Sequence, residues 1–474
     1  MYRAFVFSLA LLAGALTGWA NGVDAGESRR DRPNVVVLLA DQWRAQALGY
    51  AGDVNARTPQ LDRLATRGVV LTTAVSTCPV CSPYRASLMT GRYPVRHGVF
   101  VNDVCLNREA VSLAQAFAGA GYRTAYIGKW HLDGHGRSSF VPPERRQGFE
   151  FWRGCECTHD YNHSLYYADT DEKRYWKGYD AEAQTIEAQA YIKAHRQEPF
   201  LLVLSWGPPH NPYETAPERF KKLSSPEEIR LRPNVPPDSR DAARRDLAGY
   251  YAHCTALDEY AGRIARTLDE CGLADDTILV FTSDHGDMLG SHGEIRKQRP
   301  WDESILVPFL VRWPGGLGTA ARRLSAPFNT PEIMPTLLGL CGITVPATAQ
   351  GEDRSAWLRG KQPDQDRAAL ISCVSPFGEW TRKNGGREYR GLRTTRYTYV
   401  HSLDGPWLLY DNQEDPYQQH NQIGHPKYAA IRAELDSLLK TQLEHCGDEF
   451  LAGPEYLEKW GYKTDASGTV PYRP

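Results

Sequence analysis

Several short, continuous apolar runs constrain the fold of this chain more than any other feature of its sequence. The first extends from Asn34 to Ala40 and consists mainly of valine and leucine. Such runs are typical of strands that are buried on both faces of a parallel sheet. The pattern predicts four further strands: Arg123 to Ile127, Phe200 to Trp206, Thr277 to Thr282 and Ile305 to Trp313.

Segments with helical periodicity separate these strands. Pro59 occupies the first position of one predicted helix, which also carries Leu61 and Leu64. Residues Val111 to Ala120 form another predicted helix with an amphipathic pattern. Strands that alternate with helices predict an α/β fold, in which a mostly parallel central sheet has helices on both faces.

The pattern changes near Ser372, where short strands separated by turns predict an antiparallel sheet. Apolar residues at helical spacing then predict a helix from Tyr428 to Glu444. The predicted strands are Tyr389 to Thr394, Tyr397 to Ser402 and Trp407 to Tyr410. We therefore predict a main domain at residues 32–350, a small C-terminal α+β domain at residues 370–450 and a polar tail at residues 451–474.

The N-terminus and the overall charge limit where the protein acts and what it binds. Residues 1–20 have the positive start, apolar stretch and small-residue end of a secretory signal peptide, and a retained membrane anchor is the alternative. The rest of the sequence contains no run of about 18 apolar residues, so we expect no membrane span in the mature chain. The net charge of −2 gives no support for a nucleic-acid partner. We expect a secreted or periplasmic protein.

Polar side chains follow the predicted strands at the points where the strands end. Because the carboxyl ends of parallel strands meet at one edge of an α/β sheet, where ligand sites form, we expect these side chains to lie together. They are Asp41 and Gln42, Lys129 and His131, His210, and Asp284 and His285.

A cysteine motif precedes the predicted helix from Ala86 to Arg92. The motif is Cys81-Ser82-Pro83-Tyr84-Arg85. It puts Cys81 at a helix N-terminus, where free N–H groups and the helix dipole favour an anion. Cys78 and Cys81 also form a C-x-x-C pair, which elsewhere indicates a redox dithiol or half of a zinc site. The ten cysteines would allow disulfides in an exported protein, although their spacing gives no pairing.

Taken together, these motifs resemble those of the sulfatase family, which has the alkaline-phosphatase-like fold. The resemblance extends over nearly the whole chain, with the motifs in the family's order and at its approximate spacing. The matching motifs are Asp41 after the first strand, Cys81 to Arg85, Thr90 to Pro94, Gly128 to His131, Pro209 and His210, Ser283 to Gly286, and Lys297 after His292 and Gly293. The resemblance implies a sulfuric ester hydrolase, and the expected export together with an aromatic-rich segment favours a sulfated carbohydrate or small molecule as its substrate.

The resemblance also implies a modified nucleophile and a metal. In this family the cysteine at the position of Cys81 is oxidised to formylglycine, so a formylglycine-generating maturation enzyme is an expected partner. The implied metal ligands are Asp41, Gln42, the oxygen derived from Cys81, Asp284 and His285. The resemblance and the oxygen ligands favour calcium, whereas the imidazole leaves manganese or magnesium open.

The remaining site residues take their roles from the same resemblance. Arg85, Lys129 and Lys297 would surround the sulfate group. His210 would protonate the leaving alcohol, which needs a general acid because an alkoxide leaves poorly. His131 would contact the formylglycine.

The segment at residues 149–180 is rich in aromatic side chains and also contains Cys155, Cys157, His159 and His163. We predict that it lines the substrate pocket, because aromatic rings stack on sugars and variable loops set specificity. Zinc ligation by the cysteines and histidines, and ordinary packing of the aromatic rings, are the alternatives.

Two other functions stay open from the sequence. Gln42 and His285 keep a phosphonate monoester or phosphodiester hydrolase of the same superfamily as one alternative. Tyr84 stands at a position that is usually small in the family. If it blocks maturation of Cys81, the protein is a glycan-binding pseudoenzyme.

Overall fold

The computed structural model describes residue 1 and residues 32–364 and 367–471. Apart from Met1, the predicted signal peptide lies outside these residues. Arg32–Pro474 forms one compact unit, and the predicted boundary between residues 350 and 370 separates two sheets within it. Among the described residues, no helix is both long enough and apolar enough to span a membrane.

Within the described residues, the strands are β1 (Asn34–Asp41), β2 (Val69–Leu71), β3 (Ala74–Val75), β4 (Arg123–Lys129), β5 (Phe151–Cys155), β6 (Leu165–Tyr166), β7 (Arg174–Tyr175), β8 (Phe200–Pro209), β9 (Thr277–Ser283), β10 (Phe309–Arg312), β11 (Arg322–Leu324), β12 (Phe328–Asn329), β13 (Ala368–Cys373), β14 (Tyr389–Thr394), β15 (Tyr397–Ser402) and β16 (Gly405–Asp411).

The helices of the same residues are α1 (Pro59–Ala65), α2 (Cys81–Thr90), α3 (Pro94–His97), α4 (Leu113–Gly119), α5 (Asp180–Ala194), α6 (Glu218–Lys221), α7 (Arg240–Glu270), α8 (Asp302–Ile305), α9 (Pro314–Leu317), α10 (Ile333–Leu340), α11 (Ser355–Leu358), α12 (Ala429–Cys446) and α13 (Gly453–Lys459).

The central sheet has the strand order β11-β2-β10-β9-β1-β8-β4-β5. Only β10 runs antiparallel to its neighbours, and the other strands run in one direction. The strands β9, β1, β8 and β4 are consecutive in this order, so their carboxyl ends lie side by side. The predicted α/β fold with a mostly parallel sheet is confirmed.

The apolar strands pack on both faces because successive side chains point to opposite sides. From β1, Val35, Val37 and Leu39 join a core that includes residues of α2, α4 and α10. Val36 and Leu38 join the second core, which includes residues of α1, α5 and α7. Every residue of β1 is buried, which explains its continuous apolar run.

The C-terminal sheet is antiparallel, in the order β13-β14-β15-β16. One face carries Leu392 and packs with Leu435 and Leu439 of α12. The opposite face packs with Ile305 and Leu306, near the central sheet. The predicted strands and helix of this region occur where the sequence places them.

One predicted strand is wrong over part of its length. The sequence predicts a strand from Ile305 to Trp313, but Ile305 ends the short helix α8, and the strand begins only at Phe309. Pro308 lies directly before the strand and lacks the N–H that a ladder needs. The apolar character of this run therefore reflects burial across two different elements.

Candidate active site

The polar clusters that follow four adjacent strands lie beside the N-terminus of α2. Asp41 ends β1 and Lys129 ends β4, while His210 and Asp284 directly follow β8 and β9. Cys81 is the first residue of α2, and Val80 before it has extended backbone geometry. The sheet thereby collects side chains that are as many as 243 positions apart in the sequence.

The Cys81 thiol lies at the centre of this group. Its Sγ atom is 3.3 Å from Nε2 of His285 and 3.8 Å from Oδ1 of Asp41. Nζ of Lys297 lies 3.2 Å away and Nζ of Lys129 3.7 Å away. Burial and Asp41 raise the pKa of this thiol, but Lys129, Lys297 and His285 outweigh them and hold the pKa well below its ordinary value.

Two buried carboxylates share one arginine. Arg85 donates to Oδ2 of Asp41 at 3.1 Å and to Oδ2 of Asp284 at 3.0 Å, and all three side chains are at most 1% exposed. Lys129 adds a salt bridge of 2.6 Å to Asp41. Burial and the charge of Asp41 raise the pKa of Asp284 to about 6. A carboxylate with a raised pKa beside a second one favours an additional cation.

The donor atoms not used by Arg85 converge. Oδ1 of Asp41 and Oδ1 of Asp284 lie 3.7 Å and 3.6 Å from Nε2 of His285. The other ring nitrogen, Nδ1, is 2.9 Å from the carbonyl oxygen of Gly286, which leaves Nε2 free to ligate. One ligand atom each from Asp41, Cys81, Asp284 and His285 lies within 4.8 Å of all the others. This mixed set fits a divalent cation.

Gln42 lies at this site, but other groups bind its side chain. Its Nε2 donates to Asp287 at 2.6 Å, and its Oε1 accepts from Nζ of Lys297 at 3.3 Å. Its backbone N–H donates to Asp284 at 3.0 Å, and its φ of 70° is in the left-handed region. Metal ligation by Gln42 therefore stays a prediction that requires the amide oxygen to leave Lys297.

His131 contacts a pair of charged side chains, Asp103 and Arg137, that the sequence did not predict. One ring nitrogen, Nε2, is 2.9 Å from Asp103, which also accepts from Arg137 at 2.9 Å. Burial lowers the pKa of His131, but Cys157 and Asp103 raise it, and the pKa reaches about 10. Its Nδ1 is buried and makes no hydrogen bond with the described residues. That atom is available to a group at Cys81 or to a substrate.

His210 is held between a lysine and a second histidine. Its Nε2 lies 2.8 Å from Nζ of Lys297, and its Nδ1 lies 2.8 Å from the carbonyl oxygen of Asn211. The ring of His159 stacks on it with centroids 4.6 Å apart. Burial, followed by the charge of Lys297, holds the pKa of His210 well below its ordinary value. The neutral ring of His210 accepts a hydrogen bond from the Lys297 ammonium at Nε2.

These side chains open into a cleft of about 310 Å³. The cleft is lined by Cys81, Lys129, His131, His210 and Lys297, which the sequence predicts, and by Asn102, Asp103, Arg137, Cys157, His159, Asn211, Gln298, Phe377, Gly378, Glu379 and Thr469. The second group lies on loops without periodicity, so no sequence signal identified most of it. The predicted polar tail reaches the cleft through Thr469.

The aromatic-rich segment behaves differently from the prediction. Trp152, Tyr161 and Tyr179 are buried in the two cores, and only Cys157 and His159 of this segment line the cleft. Ordinary packing therefore accounts for most of its rings.

The four candidate zinc ligands of that segment also separate. Sγ of Cys157 lies 3.8 Å from Nε2 of His159, whereas His163 stacks on Tyr175. Cys155 is buried at the end of β5. Among the described residues, these four do not form a metal-binding group.

The C-x-x-C alternative also finds no support in the geometry. All ten cysteines lie in the described part of the chain, and none of them forms a disulfide there. Burial raises the pKa of Cys78 to about 12, opposite to the shift at Cys81. The two cysteines therefore have different environments rather than acting as a redox pair.

Comparisons with known proteins agree with this geometry. The family model described as Sulfatase matches residues 33–343, and the model described as N-sulphoglucosamine sulphohydrolase, C-terminal, matches residues 290–445. The chain is 46% identical to the ulvan-active sulfatase of Formosa agariphila, over 91% of this chain and 85% of that protein. It is 30% identical to an endo-4-O-sulfatase of Bacteroides thetaiotaomicron, over 82% of this chain and 88% of that protein. The crystal structure of the sulfatase yidJ of Bacteroides fragilis superposes with a TM-score of 0.81 at 31% identity, covering 92% of this chain and 99% of that one.

Proposed function

This chain belongs to the sulfatase family and is a sulfuric ester hydrolase, and from that premise we propose that its substrate is a sulfated carbohydrate of the ulvan type. The substrate class is supported by the similarity to the ulvan-active sulfatase. The similarity to an endo-4-O-sulfatase supports a carbohydrate sulfate more generally.

The observation that carries the proposal is the environment of Cys81. Its Sγ atom lies within 3.8 Å of two lysine ammonium groups, a carboxylate and an imidazole. These groups suit an anionic ester and a cation better than they suit an ordinary thiol. Formylglycine derived from Cys81 would supply a hydrated aldehyde, whose one hydroxyl attacks sulfur while the second permits release of sulfate.

Two cations would bind the ester directly, and a third would act through the carboxylates. Lys129 and Lys297 would bind the sulfate oxygens. Arg85 would orient Asp41 and Asp284 toward the cation. At about 4 Å and an effective dielectric near 20, each direct charge pair contributes roughly 4 kcal/mol. Such groups stabilise a transition state when they are already in position.

The histidines would move protons. His210 would protonate the leaving sugar oxygen, and the Lys297 ammonium lies 2.8 Å from its Nε2. His131, with its ring oriented by Asp103, would contact the residue at position 81 and assist the release of sulfate.

A divalent metal fits Asp41, Asp284 and His285, with the oxygen at position 81 as a further ligand. When bound, it would lower the pKa of a coordinated hydroxyl. Calcium is the first candidate because carboxylate oxygens dominate the set, and manganese or magnesium is the alternative. We also propose export by the N-terminal segment, maturation by a formylglycine-generating enzyme, and a division into a catalytic domain at residues 32–350 and a small domain at residues 370–450.

The test is sulfate release from ulvan oligosaccharides by protein whose Cys81 content of formylglycine is measured by mass spectrometry. Turnover of an aryl phosphonate monoester is measured in parallel. We expect sulfate release to be the faster reaction by at least a hundredfold in kcat/KM. A faster phosphonate reaction would overturn the proposal, and unmodified Cys81 from the native host would exclude formylglycine chemistry.

A further inference from the structure

The cleft has a buried floor and a solvent-exposed rim. Its floor is formed by Cys81, Lys129 and Lys297, which are 1%, 4% and 8% exposed. Its rim includes Arg137 and Glu379, whose side chains are 39% and 50% exposed. If the proposed function holds, an ester with its sulfur at the floor must extend its alcohol portion toward the rim.

One wall of the rim comes from the last part of the chain. It consists of Phe377, Gly378, Glu379 and Thr469. The two family models end at residues 343 and 445, so Thr469 lies beyond both of them. This wall is therefore partly built by a segment that the family description does not include.

Several contacts hold that segment, residues 465–470, which we call the C-terminal strap. The N–H of Gly378 donates to the carbonyl oxygen of Ser467 at 2.8 Å. Asp465 accepts from the backbone N–H groups of Ser467 and Thr469 at 2.8 Å and 3.1 Å. Val470 at its end is buried in the core. The strap is thus an ordered part of the cleft.

A glycine permits the close approach of the C-terminal strap to the loop Phe377–Glu379. Gly468 has a φ of +74°, and a Cβ atom there would lie 3.2 Å from Cβ of Phe377. A larger residue would be strained by its backbone conformation and would press on the loop. The close contact between the C-terminal strap and this loop therefore depends on Gly468.

The loop is in turn connected to the floor. Gln298 donates to the carbonyl oxygen of Phe377 at 2.9 Å and accepts from its N–H at 3.2 Å. Gln298 directly follows Lys297, and its own N–H donates to the carbonyl oxygen of Pro79. These bonds hold the wall in a defined position relative to the sulfate-binding lysine and Cys81.

The chemistry of this wall differs from that of the floor. It offers the carboxylate of Glu379, which also pairs with Arg296 at 3.7 Å, and the hydroxyl of Thr469, which also bonds the Ser467 hydroxyl at 2.9 Å. None of its four residues is a cation. Carboxylates accept hydrogen bonds from sugar hydroxyls and repel a second sulfate. The wall suits the hydroxyl-bearing part of a sugar.

We propose that the C-terminal strap and the loop Phe377–Glu379 form the binding wall for the alcohol part of the ester, and that Thr469 and Glu379 select a sugar that presents free hydroxyls there. This inference rests on the proposed function for the placement of the sulfate group. It assigns substrate selection to a part of the chain that contains none of the predicted catalytic residues.

The test compares Thr469→Trp, which fills the rim, with Thr464→Trp, an exposed position of the same tail that does not line the cleft. Both changes are made in a Cys81→Ala background, so that binding does not depend on maturation or turnover. Calorimetry measures the affinity for an ulvan-derived sulfated disaccharide and, separately, for inorganic sulfate as a probe of the floor. A third variant, Glu379→Gln, keeps the shape of the wall and removes its charge.

We expect Thr469→Trp to weaken disaccharide binding at least tenfold and Thr464→Trp to change it less than twofold, with sulfate affinity equal in both. Glu379→Gln should weaken disaccharide binding about threefold or more. Unchanged disaccharide binding in Thr469→Trp overturns the inference, as does an equal loss of sulfate affinity or a parent protein that binds no disaccharide. A mature protein that binds the disaccharide through this wall but releases no sulfate overturns the proposed function alone.

Discussion

Among the residues of this site, Lys297 is the one whose substitution best separates an effect on catalysis from an effect on stability. Its Nζ atom contacts Cys81, His210 and Gln42, and it forms no salt bridge with a carboxylate of the described residues. Its side chain is only 8% exposed. Once Cys81 is converted, its thiol no longer faces Lys297, and a buried cation without an opposite charge costs free energy in the unliganded protein. Its charge is therefore useful chiefly to an anionic ligand.

Replacing Lys297 by methionine keeps most of its volume and removes this charge. We expect kcat/KM for a sulfate ester to fall about a thousandfold, because roughly 4 kcal/mol of charge pairing is lost and 1.4 kcal/mol corresponds to a factor of ten. The free energy of unfolding, measured by urea denaturation, should stay equal or rise.

The matched control is Lys129→Met, because Lys129 forms a 2.6 Å salt bridge with buried Asp41. Removing one partner of a buried pair costs about 3 kcal/mol of stability. Both proteins are compared at equal formylglycine content, measured by mass spectrometry. The reasoning is refuted if Lys297→Met destabilises the protein as much as Lys129→Met does, or if it retains more than a tenth of kcat/KM.

Three further predictions follow from the same buried charges. Arg85→Met leaves Asp41 and Asp284 without their shared partner and should cost about 3–5 kcal/mol in urea denaturation, whereas the surface change Arg123→Met should cost less than about 1 kcal/mol. The pKa of His131 is raised from 6.5 to about 10, so its contribution to stability is complete below pH 6.5 and is lost as the pH rises toward 10; Asp103→Asn should flatten this loss in melting temperatures measured across that range. Calcium at a hundredfold excess over its Kd should stabilise chelator-treated protein by about 2.7 kcal/mol, and Asp284→Asn should abolish that thermal shift; a shift that persists in the variant would place the ion elsewhere.

The sequence predicts the strands of the central sheet because buried parallel strands have no polar face. The observed β1 and β9 each extend one residue beyond the predicted strands, and β8 extends three. The sheet order is a different matter, since β1 pairs with β8 and β9 across more than 160 positions. No local pattern encodes those partners. The error at Ile305 has the same origin, because burial makes a helix end and a strand look alike.

The candidate site likewise contains residues that the sequence predicts and residues that it does not. Asp41, Lys129, His210 and Asp284 were predictable because each directly ends or follows a buried strand. Asp103 and Arg137 were not, since isolated charges on loops usually face solvent. Only the folded chain shows that Asp103 is 3% exposed and contacts His131. Thr469 gave no signal at all, because its segment has little apolar periodicity.

Substitutions at the floor and at the rim of the cleft should have different effects. The floor of the cleft is held by strand ends and by the buried pairs of Arg85, so a substitution there disturbs both stability and chemistry. Glu379 and Thr469 instead lie on a loop and a strap that are joined to the floor by the Gln298 hydrogen bonds and by a 3.7 Å ion pair between Glu379 and Arg296. Substitutions at these two rim positions should alter the accepted sugar while leaving the melting temperature and sulfate binding unchanged. Loss of sulfate binding on changing Glu379 would show instead that rim and floor act as one unit, coupled through Gln298 to Lys297.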